Sequence, residues 1–379
     1  MRFVLNTRSD TAGAQASIFA LAERMRAFDV DATVNDWDRY DRYDVAIFMG
    51  YDHELERAKA TNPEILVGLA DPKQSKQEWI DAARAADFLL VSSVEQREAF
   101  LRLNRNCFVL LMFPLVQPET KVHGERDEVV LAYHGNRAHL EAMAHTATPA
   151  LEELGRRRRV RLVCVTNHAR YGLPERGLPD PKLVDVTHVQ FEPGPPGGVA
   201  ESFRAALGAS DIGLAPNLLP LVGRREALRA TASSNPWLAY EPFDWLLRFK
   251  ASSNPGRLYP FARLGIPVVA ELTPSLAQFV DDGVSGALVA TPEGWFEALE
   301  RLSSSAALRT SMAAALRTRL DAAVTRQATD LLAFVGALDE PAPLTFAGSP
   351  SVESELAELD RYASPARPGF IDRLRSKLG

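Results

Sequence analysis

Cysteine is scarce in this chain of 379 residues: there are two, Cys107 and Cys164, each inside an apolar run. A disulfide framework is thereby excluded, and both read as buried reduced thiols, as in a cytoplasmic protein. No apolar run is long enough to span a bilayer, so membrane contact is peripheral at most. The opening residues, MRFVLNTRSD, pass straight into a strand-like run and lack the apolar stretch of a signal peptide, which adds to the expectation of a cytoplasmic location. An excess of positive charge is missing as well: 43 Lys and Arg face 49 Asp and Glu, a formal net charge of -6. Proteins that hold nucleic acid by its phosphates are usually basic, so that class is disfavoured.

Several chemical signatures are also absent. The chain has no HExxH, no CxxC pair and no EF-hand loop, so no built-in metal site and no bound cofactor are expected. It has neither G-x-S-x-G nor GxxxxGK[ST], which argues against a hydrolase elbow and a P-loop. The loop TRSDTAGAQASIF (7–19) holds Gly13 as its one glycine, so the dinucleotide fingerprint GxGxxG is missing too.

What the sequence does contain is an alternation of apolar runs and helical stretches. RFVLNT (2–7), DATVNDW (31–37), DVAIFMG (44–50), ILVGLAD (65–71), DFLLVSS (87–93) and CFVLLMF (107–113) read as strands. After a polar, turn-rich stretch at 114–128 the alternation restarts with VVLAYHG, VRLVCVT (160–166), VTHVQFEP, DIGLAPN (211–217), PVVAEL and GALVAT. Most of these runs are continuously apolar, the mark of strands buried on both faces of a parallel sheet. The expected fold is α/β: two Rossmann-like domains over 1–118 and 127–338, with parallel sheets facing across a cleft. Ligands in such folds sit at the carboxyl ends of the strands. The tail over 339–379 reads as a packing or frayed segment, and packing back on the first domain is one reading of it. The run Arg156–Arg159 reads as a solvated helix C-terminus.

Three stretches share the logic of an anion site. The cleft loop with Thr11 and Gly13 precedes a helix, where free N–H groups gather. AYHGNRAHL (132–140) occupies the same place in the second unit; Gly135 allows close backbone approach, and Asn136 and Arg137 bring donors, while His134 and His139 are weaker candidates. The third is FKASSNPGRLYPFARLGIPVVAE (249–271), with Lys250, Ser252, Ser253, Asn254 and Arg257 ahead of a buried strand. Asn254 and Pro255 are explained by helix capping alone. Two cations beside them are not, and a cationic, donor-rich helix start suits a diphosphate.

LYPFARLGIPVVAELTPSLAQFVDDGVSGALVATPEGWFEALERL resembles the C-terminal domain of retaining family 4 glycosyltransferases, which have the GT-B architecture. The likeness lies in A-x-x-G-x-P-V-V-A (262–270) and D-G-x-x-G-x-L-V (282–289), followed by a helix. AGAQASIFALAERMRAFDVDATV more weakly resembles the N-terminal element of such enzymes. The departures are specific. The family's two glutamates, separated by seven residues, fall near Ser252 and at Pro260 here. Its Gly-Arg…Lys pair is replaced by His134-Gly135-Asn136-Arg137, and its Pro-Glu by Ala277-Gln278. An insertion with PWLAYEPFDW lies between Asn217 and Lys250, suited to covering a donor or binding an acceptor.

The resemblance implies a transferase that moves a sugar from a nucleotide-sugar co-substrate to a glycan, glycolipid or protein acceptor, with retention and without a metal. The donor side would be Gly135, Asn136, Arg137, Lys250, Ser252, Ser253, Asn254 and Arg257, with Glu271 meeting sugar hydroxyls. Asp71 and His53 are candidates for a catalytic base in the first domain. A nucleotide-sugar epimerase of the same architecture and a non-catalytic nucleotide or sugar binder stay open beside it; polysaccharide biosynthesis is the expected setting.

Overall fold

A computed structural model describes residues 1–73, 76–217, 255–339, 341–343 and 354. Among them lie twelve strands: β1 Arg2–Asn6, β2 Asp31–Val34, β3 Val45–Met49, β4 Leu66–Ala70, β5 Phe88–Val91, β6 Cys107–Val109, β7 Glu128–His134, β8 Arg159–Thr166, β9 Asp185–Gln190, β10 Ile212–Ala215, β11 Val268–Glu271 and β12 Ala287–Val289. They form two six-stranded sheets, in the orders β2-β1-β3-β4-β5-β6 and β12-β11-β10-β7-β8-β9. Every ladder within them is parallel. The expected α/β class with two Rossmann-like sheets is therefore the observed one.

The apolar runs are continuous because both faces of each sheet are covered. On β7, Val129, Leu131 and Tyr133 enter one core, while Val130 and Ala132 enter the core on the other face. Alternation of side chains along a strand makes this unavoidable once helices cover both sides. Cys164 is buried and free, as expected; Cys107 is also free but only half-buried, because it starts the edge strand β6.

Local signals set the helix ends. The helix Leu258–Arg263 stops at Gly265, whose φ is +68°. Gly265 N–H bonds to Ala262 O (3.2 Å) and Ile266 N–H to Phe261 O (2.8 Å). This pair of bonds is a Schellman stop, which needs the left-handed residue that glycine supplies. The Arg156–Arg159 run behaves as a solvated cap: Arg156 and Arg157 lie in the last turn of the helix Ala147–Arg157 and pair with Glu153. One feature had no sequence signal. The first helix widens to a π-helical turn over Gln15–Phe19 before continuing as α-helix over Ala20–Arg26.

Among the described residues, two connections join the sheets. The stretch after β6 is tied to the second domain: Glu119 N–H donates to Arg263 O (2.8 Å), His123 Nε2 bonds Gly265 O (2.9 Å) and Arg309 donates to Gly124 O (2.6 Å). The helix Ala306–Val335 is the second connection. Met312, Leu316 and Leu320 pack in the cores of the second sheet, but Leu331 and Val335 pack in the core of the first. There Phe334 lies against Phe88 and Phe108, with ring centroids 6.1 and 5.3 Å away. Beyond the helix, Asn106 Nδ2 donates to Asp339 O (2.7 Å) and Arg105 N–H to Ala342 O (3.2 Å). The insertion at 218–249 and the rest of the tail lie outside the described residues.

Truncating Leu331, fully buried in the first core, is expected to destabilise the fold by about 2–5 kcal/mol, the range for large-to-Ala core changes. Urea unfolding of Leu331→Ala checks this, with the loss appearing in the transition of the first domain, to which the residue does not belong in sequence.

Candidate functional site

In an open parallel sheet, the connections leave toward opposite faces at one point in the strand order, and the crevice there takes ligands. The second sheet reverses between β7 and β10, and the first between β1 and β3. Both points fall on stretches singled out above.

At the second-sheet point the chain leaves β7 through Gly135, which adopts φ +136°. A Cβ at this position would stand 2.8 Å from the Tyr133 hydroxyl and 3.5 Å from Arg257 Cδ, so only glycine fits. Asn136 caps the next helix, its side-chain oxygen accepting from Ala138 N–H (3.0 Å). Tyr133 O–H donates to Asn136 O (2.6 Å) and stiffens the turn. Arg137 opens the helix and donates to Leu173 O (3.1 Å).

Arg257 reaches this turn from the other side of the reversal. Its guanidinium donates to Pro216 O, just past β10, and to His139 Nδ1 (3.3 Å), beyond β7. A guanidinium only donates, so His139 accepts at Nδ1 and carries its proton on Nε2. Burial lowers the Arg257 pKa, while Tyr133 and Glu271 act in the opposite sense. Burial also drives His139 well below the usual histidine value, with Arg257 adding to the effect. Glu271 ends β11, the next strand over, and is 1 % exposed. The structure thus brings Gly135, Asn136, Arg257 and Glu271 together at one reversal point. Arg137 stands at its rim. Lys250, Ser252, Ser253 and Asn254 lie outside the described residues. Pro260, where the sequence resemblance placed a glutamate, is buried in the helix Leu258–Arg263.

The first-sheet point is built differently. Thr11 caps the first helix, accepting from Ala14 N–H (3.3 Å), and contacts Tyr51 O–H (3.3 Å). Among the described residues a Cβ on Gly13 would meet only the Thr11 hydroxyl, at 4.0 Å, so none of them demands glycine there. Arg8 lies 3.7 Å over the Trp37 ring and pairs with Asp52 (3.2 Å) and Glu54. His53 lines an open pocket of about 590 Å³ with Tyr51, Glu56, Trp79 and Asp81. Asp71, with φ +50°, ends β4 and pairs with Lys73 Nζ at 2.7 Å. Burial pushes its carboxyl up, and Lys73 pulls it back.

The two base candidates thus sit on the first domain, apart from the Arg257 cluster in sequence and sheet. Tyr133 and the Pro216 carbonyl were missed: a tyrosine inside an apolar strand and a backbone oxygen leave no sequence signal. His139 is only a weaker candidate from sequence, and its spacing five residues past His134 gives no hint of Arg257. The first-sheet cluster Arg8–Trp37–Asp52 was missed for the same reason, since its members come from three connections.

No family model matches the chain, and no curated protein matches it in sequence. Solved structures do. Alr3699/HepE of Anabaena, in complex with UDP-glucose, is 11% identical, with a TM-score of 0.50 over 88% of this chain and 99% of that one. Sucrose-phosphate synthase from Thermosynechococcus elongatus is 13% identical, with a TM-score of 0.51 over 89% and 100% of the two chains. A glycosyltransferase from Rickettsia africae ESF-5 is 8% identical, with a TM-score of 0.51 over 88% and 98%. The likeness is one of fold: two Rossmann-like domains in the GT-B architecture, as the sequence resemblance implied.

His134 supplies a pH test of the site. Buried between Phe203 and Phe261 and bonded through Nε2 to Arg257 O (3.1 Å), it has its pKa lowered by burial from 6.5 to about 4. The folded protein keeps it neutral where the unfolded chain binds a proton. Its contribution is therefore complete above about pH 6.5 and is lost as pH falls toward 4, amounting to about 3 kcal/mol. Urea midpoints at pH 7 and pH 4.5 should differ less in His134→Asn, which keeps an N–H donor but does not titrate, than in the wild type.

Proposed function

We propose that this protein is a glycosyltransferase that moves a sugar from a nucleotide-sugar donor to a glycan, glycolipid or protein acceptor. One observation carries the proposal: Arg257 bridges both sides of the second-sheet reversal, beside a glycine that no larger residue can replace. Breaking a sugar–phosphate bond leaves a diphosphate whose negative charge grows toward the transition state. A preorganised guanidinium at that point stabilises it most where the charge develops. Gly135 lets a phosphate come close to the backbone, and Glu271 stands one strand away, where a carboxylate accepts hydrogen bonds from sugar hydroxyls.

In this scheme the second domain, 127–338, holds the donor and the first, 1–118, the acceptor. Lys250, Ser252, Ser253 and Asn254 precede Arg257 in sequence and extend the donor side. Thr11 and Gly13 face the cleft from the first domain. Retention of configuration follows if the leaving phosphate takes the acceptor's proton on the face it departs from; no metal is then needed, because cations of the chain carry the charge. Asp71 and His53 are the base candidates if a side chain takes that proton instead. A cytoplasmic setting, where nucleotide sugars are available, agrees with the scarcity of cysteine. The fold neighbour crystallised with UDP-glucose makes uridine the first base to try. A non-catalytic binder is the second possibility, supported by Pro260 and Ser252 standing where the family has glutamates.

The test is thermal unfolding with UDP, GDP, ADP and their glucose conjugates, with and without Mg²⁺, followed by assay of nucleotide release. At a concentration near 100 times its dissociation constant, one nucleoside diphosphate should stabilise the wild type by about 2.7 kcal/mol whether or not Mg²⁺ is present. Arg257→Ala should lose most of that shift, and Arg257→Lys should keep part of it. Release of the diphosphate from its conjugate separates a transferase from a binder and an epimerase. An absence of any shift across the panel would overturn the proposal.

A further inference from the structure

The loop that leaves β11 runs from Glu271 into a short helix, Pro274–Ala277. Its own domain holds it from below. Arg319, on the long helix, donates to Phe279 O (3.1 Å) and Gln278 O (3.2 Å) and bonds Asp281 (2.5 Å). Thr273 caps the turn, accepting from Leu276 N–H at 3.4 Å.

A further contact comes from the other domain. Glu95 lies in the first turn of the helix Val94–Phe100, which follows β5 and lies against the helix Pro274–Ala277. Its Oε1 accepts from Ser275 N–H (3.3 Å), and its Oε2 accepts from the Ser275 hydroxyl. Ser275 is 1 % exposed and Glu95 is half-buried, so this charge-assisted bond is partly shielded from water. Both residues follow the carboxyl ends of their strands, and Ser275 is four residues beyond Glu271. A bond placed here does more than fasten two domains. It ties the turn that directly follows Glu271 to the first domain.

We propose that Glu95 is a positioning residue: its carboxylate, bonded to Ser275 from the opposite domain, sets the loop that presents Glu271 to the sugar of the donor. The catalytic consequence rests on the donor site proposed above; the contact itself does not. The variants Glu95→Ala, Glu95→Gln, Ser275→Ala and the Glu95→Ala/Ser275→Ala pair separate the two. Glutamine keeps one acceptor and gains a donor that the serine hydroxyl can accept, so it is the conservative rescue.

Amide hydrogen exchange of the ligand-free full chain is the first readout. Exchange over 272–277 should rise at least tenfold in Glu95→Ala and in Ser275→Ala. It should rise no further in the pair, because both remove one interaction. Glu95→Gln should keep most of the protection. With UDP-glucose as donor, kcat should fall at least tenfold in Glu95→Ala while KM changes less than threefold, and Glu95→Gln should stay within threefold of wild type. Unchanged exchange, or single effects that multiply in the pair, would overturn the contact. Raised exchange with unchanged kcat would overturn the positioning role. A wild type that neither binds nor turns over UDP-glucose counts against the transferase instead, and the exchange data then still decide whether Glu95 holds the loop.

Discussion

A guanidinium gives up water only where other oxygens and nitrogens replace it, and the second sheet is arranged around that requirement at Arg257. The Pro216 carbonyl beyond β10 and the His139 ring beyond β7 take its donors, and Glu271 at the end of β11 offsets its charge. The arrangement has further demands. Gly135 must lack a side chain so that the arginine and the Tyr133 hydroxyl fit, and His139 must stay neutral to accept from a cation. His134 holds the carbonyl of Arg257 itself through Nε2–H, and burial keeps its ring neutral. The connections after β7 and β10 are thus tied to one side chain, which is itself held in place by them. Mutual support of this kind is what charge stabilisation needs, because dipoles already in place do not have to reorganise.

The first sheet offers a contrast. Its reversal point is filled by ion pairs within the chain, with Arg8 held by Asp52, Glu54 and the Trp37 face. Asp71 is likewise committed to Lys73. Here the arginine meets carboxylates and an aromatic face, whereas Arg257 donates to a backbone carbonyl and a histidine ring.

The fold was legible because its strands are buried on both faces. All twelve apolar runs named from the sequence became strands, and the Gly265 stop and the arginine-rich helix end followed from local rules of capping. The edge strand β6 was the weakest of them: CFVLLMF shrank to three paired residues, because an edge has a neighbour on one side only. Gly135, Asn136 and Arg257 could be named as candidates from turn chemistry and charge. Their company could not. His139 and Arg257 are 118 residues apart, and Glu95 and Ser275 are 180 apart. Nothing in the spacing of either pair marks it, because parallel sheets bring together loops that the chain keeps distant. Asp71 shows the same limit: its place at a strand end was visible, but its partnership with Lys73 depends on the left-handed backbone at φ +50°.

The long helix has a consequence for how the protein is made. Leu331 and Val335 complete the core of a sheet whose last strand ends at Val109. A ribosome adding about 5–20 residues per second needs roughly 10–45 s to travel from one to the other. Through that interval the first domain has all its strands but an open flank where Phe88 and Phe108 await Phe334. Vectorial synthesis therefore does not let this domain finish first, as the order of the chain would suggest. Its apolar flank is exposed to chaperones, and to other nascent copies, until residues 331–335 have been made.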